Sequence, residues 1–220
     1  MPNADTQPSP EGLTPSQQVF ADQLLATGAI RFGAFRLKLH ERQPDAPLSP
    51  IYINLRVLRS FPDALDAAVA VLTELIHAHN LHPDLYADVP MAATPLVAVL
   101  AHQTRIGMIT PREPKTHGLT GTVDGAFAAG QSALVIDDLV TNAESKLEAA
   151  RVLESNGLHV HDIAVLIDRE QGGPAQVAAA GYTLHAATRA SQLLAYFHRT
   201  GGMDDARFAE VTAYFAGAHA

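Results

Sequence analysis

The stretch 133–146 reads ALVIDDLVTNAESK, and it holds the residues best suited to chemistry. Four apolar residues run into Asp137 and Asp138, and a short polar turn then leads into a helical pattern. A turn ahead of a helix N-terminus presents free backbone N–H groups and the positive end of the helix dipole, so it suits a phosphate. Two carboxylates beside that turn can accept hydrogen bonds from a sugar's hydroxyls. The same residues also describe a plain strand-to-helix turn with solvated acids and a helix cap. Glu144 sharpens the choice. A carboxylate touching a dianion in a partly desolvated pocket costs on the order of several kcal/mol, unless it swings to solvent as a first-turn helix residue.

An alternation of elements must position these groups. Thr14-Pro15-Ser16 opens a helix, with Thr14 as N-cap and Pro15 at the first position; VFADQLLATGAI continues it and stops near Gly28. RFGAFRLKL and SPIYINLRV alternate as strands around a polar loop, HERQPDAPL, and Phe61 to His79 is helical in pattern. Strand and helix then take turns. DLYADV, IGMIT, SALVID, HDIAVLID and YTLHAA read as strands; PLVAVLAHQT, ESKLEAARVLESNG and PAQVAAAG read as helices, and two more helices close the chain. After IGMIT comes one long polar stretch, PREPKTHGLTGTVDGAFAAGQ. Apolar strands alternating with helices predict an α/β fold, a parallel sheet covered on both faces. Such sheets bind ligands outside the carboxyl ends of their strands. Asp88, Thr110, Asp137, Asp138, Asp168 and Arg169 all fall at such ends.

Composition narrows the partners. The 220 residues carry a formal net charge of -8, which argues against nucleic acid as a partner. There is no cysteine, so no disulfide, thiol nucleophile or thiolate metal site. No apolar run reaches the length of a membrane span, and MPNADTQPSPEGLTPSQQ has neither the basic nor the apolar region of a signal peptide, so a cytoplasmic chain is expected. His77, His79 and His82 are read as a polar helix end rather than a metal site.

In combination, ALVIDDLVT, SKLEAARVLESNGL, LIDREQGG, PREPKTHG and SPIYINLR resemble the orotate phosphoribosyltransferases, including the matching half of the bifunctional UMP synthases. The resemblance runs from about Gln23 to Ala190. It implies a type I phosphoribosyltransferase fold: a twisted, mostly parallel sheet with helices on both faces and a small hood from the N-terminal segment. On that plan 1–13 is a disordered tail, 14–60 the N-terminal helix and hood strands, 61–200 the core and 201–220 a C-terminal helix. The implied reaction joins orotate to phosphoribosyl pyrophosphate (PRPP), releasing pyrophosphate and giving orotidine 5-monophosphate. Magnesium (Mg2+) would bridge PRPP's oxygens, with no direct protein ligand. Asp137 and Asp138 would hold the ribose hydroxyls, and Thr141, Asn142, Ala143, Glu144 and Ser145 would cradle the 5-phosphate. Lys115 and His117 lie on what resembles a mobile catalytic loop reaching into a neighbouring subunit, so a homodimer with shared active sites is implied. Lys38 and Arg112 would help bind PRPP. Arg169 would recognise orotate, an apt use of a forked cation, with Tyr52 and Ile53 near the ring.

The sequence departs from the family at the phosphate contacts. Ala143 and Glu144 stand where the turn usually has glycine and a hydroxyl residue, Asp88 where the pyrophosphate loop usually begins with glycine, and Pro111 where an arginine usually binds pyrophosphate. Two readings follow: an orotate phosphoribosyltransferase with an unusual phosphate loop, or a non-catalytic or regulatory relative that binds a pyrimidine or nucleotide but does not use PRPP productively.

Overall fold

The computed structural model describes residues 12–36, 38–41, 43–112 and 122–217. Thr14 caps helix α1 (Pro15–Ala26) through a reciprocal box: its hydroxyl accepts the Gln17 N–H at 3.3 Å, and the Gln17 side chain accepts the Thr14 N–H at 2.8 Å. Both are orphan donors that the helix itself cannot satisfy. Strand β1 (Ile30–Phe35) pairs antiparallel with β2 (Ser49–Ile53) as a separate two-stranded sheet. Both strands are shorter than their alternation predicts. Lys38 lies on a 3-10 turn (Lys38–Glu41), not in a strand, and a second 3-10 segment (Leu55–Ser60) follows β2. Leu55 and Leu58 of that segment are buried, because residues three apart eclipse on a 3-10 helix and so share one inward face.

Helix α2 (Pro62–Ala78) starts at the proline and buries Ala64, Ala68, Val71, Leu72 and Leu75 along one stripe. The main sheet comprises β3 (Leu85–Asp88), β4 (Gly107–Pro111), β5 (Val123–Asp124), β6 (Ser132–Val140), β7 (His159–Asp168) and β8 (Thr183–Arg189), in the order β5-β4-β3-β6-β7-β8. All neighbours are parallel except β5, which runs antiparallel to β4. The long polar stretch is therefore not all loop: its later part adds an edge strand. Its residues 113–121, with Lys115 and His117, lie outside the described residues, as does 1–11.

Helices α3 (Thr94–Thr104), α4 (Glu144–Ser155), α5 (Gly173–Ala179), α6 (Ala190–Arg199) and α7 (Asp205–Gly217) complete the fold. Strand alternation sorts the core into two layers. Leu134 and Ile136 of β6 join a cluster with Phe20, Leu72, Val97 and Phe197, whereas Ala133 and Val135 join Ala149, Leu153 and Val177 on the other face. Strand order reverses between β3 and β6, so the crevice outside their carboxyl ends is the expected ligand position. Among the described residues no helix is long and apolar enough to cross a membrane.

Candidate active site at the carboxyl ends of the sheet

The acids do not terminate β6. Leu139 pairs with Ile167 and Val140 with Asp168, so the ladder carries the strand past both aspartates. The strand SALVID is expected to end at the acids, but β6 runs on to Val140, the turn shrinks to 141–143, and α4 begins at Glu144. Alternation also separates the acids. Asp137 follows Ala133 and Val135 toward α4. Asp138 takes the other face, lining a narrow cleft with Leu55, Arg56, Arg59, Ala92 and Pro95.

Asp137 and Lys146 are each only 4% exposed, and Lys146 Nζ stands 2.6 Å from Asp137 Oδ2. The second oxygen of Asp137 accepts the Asp138 N–H at 2.8 Å, and Asp138 Oδ1 accepts the Leu139 N–H, also at 2.8 Å. Burial pushes the Asp138 carboxyl up to about 7; the Asp137 charge adds to the rise, while the Leu139 N–H and Lys146 oppose it. Sequence reasoning missed Lys146. A signal was present: 146, 149, 150 and 153 form the buried stripe of α4, so a lysine stands on an inward helical position. Such a cation needs an anion beside it.

The turn expected to cradle a phosphate is held from behind. Ala143 has φ −91°, an ordinary right-handed conformation that needs no glycine. Its N–H donates to Gln176 Oε1 of α5 at 3.0 Å. At Gly173, a Cβ would stand 2.4 Å from Val140 Cγ2, so α5 can press against the turn only with glycine there. Thr141 is half-buried, while Asn142, Glu144 and Ser145 are exposed. Glu144 thus faces solvent at the first position of α4, where the helix dipole favours its charge.

Ser145 and Arg112 are brought together around a cavity of about 200 Å³, with Val89, Pro90, Pro111 and Glu148. Arg112 also pairs with Asp124 of β5, Nε to Oδ2 at 2.6 Å. Asp88 is fully buried and accepts the hydroxyls of Thr94 and Thr110, which ties the ends of β3 and β4 to the start of α3. It anchors the following loop, and each of its two carboxyl oxygens accepts one of those hydroxyls. In that loop the Met91 carbonyl accepts Arg59 Nη2 at 2.7 Å, and Arg56 and Arg59 border an open cleft of about 560 Å³ with Asn54, Val57 and Met91. Sequence reasoning missed both arginines. Their spacing of three places them on one face of the 3-10 segment.

The end of β7 is built differently. Asp168 accepts the Glu170 N–H at 2.8 Å rather than pairing with Arg169, and burial raises its carboxyl pKa. Glu170 has φ 57°, and its carboxylate takes the N–H and hydroxyl of Ser191 at 2.8 and 3.0 Å, latching the loop to the start of α6. Arg169 Nε is buried with no hydrogen-bond partner among the described residues. Burial lowers the guanidinium pKa, and Tyr214 of α7 pulls it back. Helix α7 packs on β2, which carries the exposed Tyr52 and the core-packed Ile53, so the strand of two expected base-side residues and the third, Arg169, both adjoin α7.

No family model matches the chain. The orotate phosphoribosyltransferase of Thermococcus gammatolerans is 32% identical over 174 residues, 79% of this chain and 89% of that protein. The "Bifunctional enzyme PyrF/PyrE" of Nostoc sp. is 34% identical over 192 residues, 87% of this chain but 39% of that protein. This chain thus spans about two fifths of that bifunctional relative. The solved UMP synthase of Leishmania donovani superposes with a TM-score of 0.77 at 30% identity, covering 93% of this chain and 43% of that one.

Proposed function

The chain belongs to the orotate phosphoribosyltransferase family, and on that premise we propose that it joins N1 of orotate to C1 of PRPP, as a cytoplasmic homodimer with shared active sites. The observation that supports this most is Arg169. A half-buried guanidinium whose buried Nε has no partner among the described residues, at a strand end beside the switch-point crevice, is suited to a planar carboxylate or ring carbonyl such as orotate presents.

The remaining groups divide the substrate between them. Asp138, facing the cleft, accepts a ribose hydroxyl, and Asp137 holds its neighbour in place from the α4 side. The 5-phosphate lies on the turn from Thr141 to Ser145, at the N-terminus of α4. Arg112, Lys38, Arg56 and Arg59 supply cations along the pyrophosphate, in place of the arginine replaced by Pro111. Lys115 and His117 close over the leaving group from the loop of the neighbouring subunit and exclude water.

As the N1–C1 bond forms, the C1–oxygen bond breaks and pyrophosphate departs, and the proton lost from orotate N1 passes to the departing pyrophosphate or to solvent. The transition state is oxocarbenium-like, so positioning and charge stabilisation carry the rate. Magnesium would be held together with PRPP, and the Asp138 carboxylate that lines the cleft offers a hard oxygen suited to the cation. When bound, it offsets charge on the leaving group.

A second reading is favoured by one feature: the Ala143 N–H, in the middle of the phosphate turn, is already taken by Gln176. In that reading the chain binds a pyrimidine or nucleotide without turning over PRPP. Calorimetry with PRPP and magnesium, alongside an assay of orotate-dependent pyrophosphate release, separates the two. Micromolar PRPP binding with turnover is expected. Binding of orotidine 5-monophosphate with no PRPP binding and no turnover would establish the second reading.

A further inference from the structure

Lys146 has no part in the reaction as set out above, yet it is the buried cation closest to its acids. It stands on the inward stripe of α4, 4% exposed, with Nζ 2.6 Å from Asp137 Oδ2 and 3.3 Å from Ser145 Oγ. It therefore touches both halves of the site, the acid pair and the phosphate turn. The pair lies where a strongly anionic substrate must settle, and two adjacent carboxylates there would repel it.

We propose that Lys146 is a positioning and specificity residue for PRPP: its ammonium cancels the charge of Asp137 beneath the phosphate turn, leaving Asp138 as the one acid presented to the ribose. This inference rests on the PRPP reading of the site and adds to it a counter-charge built into the fold. Both oxygens of Asp137 are already committed, one to Lys146 and one to the Asp138 N–H, so Asp137 has no oxygen turned to the cleft without losing a partner. The carboxylate nearest the phosphate turn thus contributes no net charge. That compensates for the exposed Glu144, two residues earlier in the same first turn of α4, whose own charge is screened by solvent.

The test compares wild type, Lys146→Met, and the double variant Asp137→Asn with Lys146→Met. Each is measured at pH 8 for the Kd of PRPP with magnesium, the KM of PRPP and orotate, and kcat. In Lys146→Met the PRPP Kd and KM should rise about tenfold or more, with orotate KM and kcat within about threefold. The double variant removes both charges and should recover PRPP affinity to within about threefold of wild type. A purely structural lysine would instead lower kcat and stability without a selective change for PRPP, and would show no such rescue. If Lys146→Met is folded with PRPP affinity unchanged, or if the double variant binds PRPP as poorly as the single, the inference is wrong. Should Lys146→Met fail to fold, the double variant decides alone, since weak PRPP binding there overturns the proposal. Wild type that binds PRPP without turnover defeats the proposed reaction but leaves this inference to be read from Kd. Wild type that binds no PRPP defeats both.

Discussion

The ends of β6 and β7 lie side by side in one sheet and solve opposite problems. At β6 the charges close on one another: Asp137 is met by Lys146 and by a backbone N–H, and Asp138 by the next N–H along. At β7 the closure is deliberately partial. Asp168 and Glu170 find donors, but Arg169 keeps a buried nitrogen without an acceptor among the described residues. Glu170 also holds a left-handed backbone, a conformation that costs a side-chain-bearing residue of order 1–3 kcal/mol and persists where its surroundings demand it. A buried ion pair is satisfied before any ligand arrives, whereas an unpartnered guanidinium is satisfied by one. On the proposed reaction, β6 would be the prearranged sugar and phosphate side and β7 the side that gains most from binding a base.

Replacing the unsatisfied group should have the largest effect. Arg169→Met is expected to lower kcat/KM for orotate about a hundredfold or more. Its melting temperature should hold or rise, because an uncompensated desolvation cost leaves with the guanidinium. A fall in stability together with unchanged orotate kinetics would erase the contrast between the two strands.

The next effect is on stability against pH. The Asp138 carboxyl has a folded value of about 7, above its unfolded one near 3.8. The folded state therefore binds the extra proton between these values, so stability is greatest below about pH 4 on this account and falls as pH rises to 7. Asp138→Asn should remove that fall, worth on the order of a few kcal/mol, when denaturant unfolding is compared at pH 5 and pH 7.5. Parallel pH slopes in the two proteins would mean that the end of β6 is not strained by its charge. Glu144→Gly should do least: PRPP binding should tighten only a few-fold, since Glu144 already faces solvent. A hundredfold gain would mean that the glutamate blocks the phosphate turn, and the resting state of β6 would then be a closed site.

The sequence alone determined the order of elements, because apolar runs with a period of two or 3.6 declare which faces must be buried. Thr14 and Pro15 marked their helix start, Pro62 marked another, and the polar residues after the apolar strands marked the carboxyl edge of the sheet. It did not determine where ladders stop. Leu139 and Val140 stay in β6 only because β7 offers Ile167 and Asp168 across the gap; Lys38 leaves the strand pattern because β1 pairs only with β2, and that pairing ends at Phe35. Val123 and Asp124 become a strand because β4 has an open edge to fill. The charge partners were decided in the same way. Nothing local links Asp137 to Lys146, Ala143 to Gln176 or Arg169 to α7, since each pair joins different elements. Local pattern records what each segment must bury, but a hydrogen bond or ion pair between segments exists only once packing has brought them within about 3 Å, and that is a property of the tertiary fold.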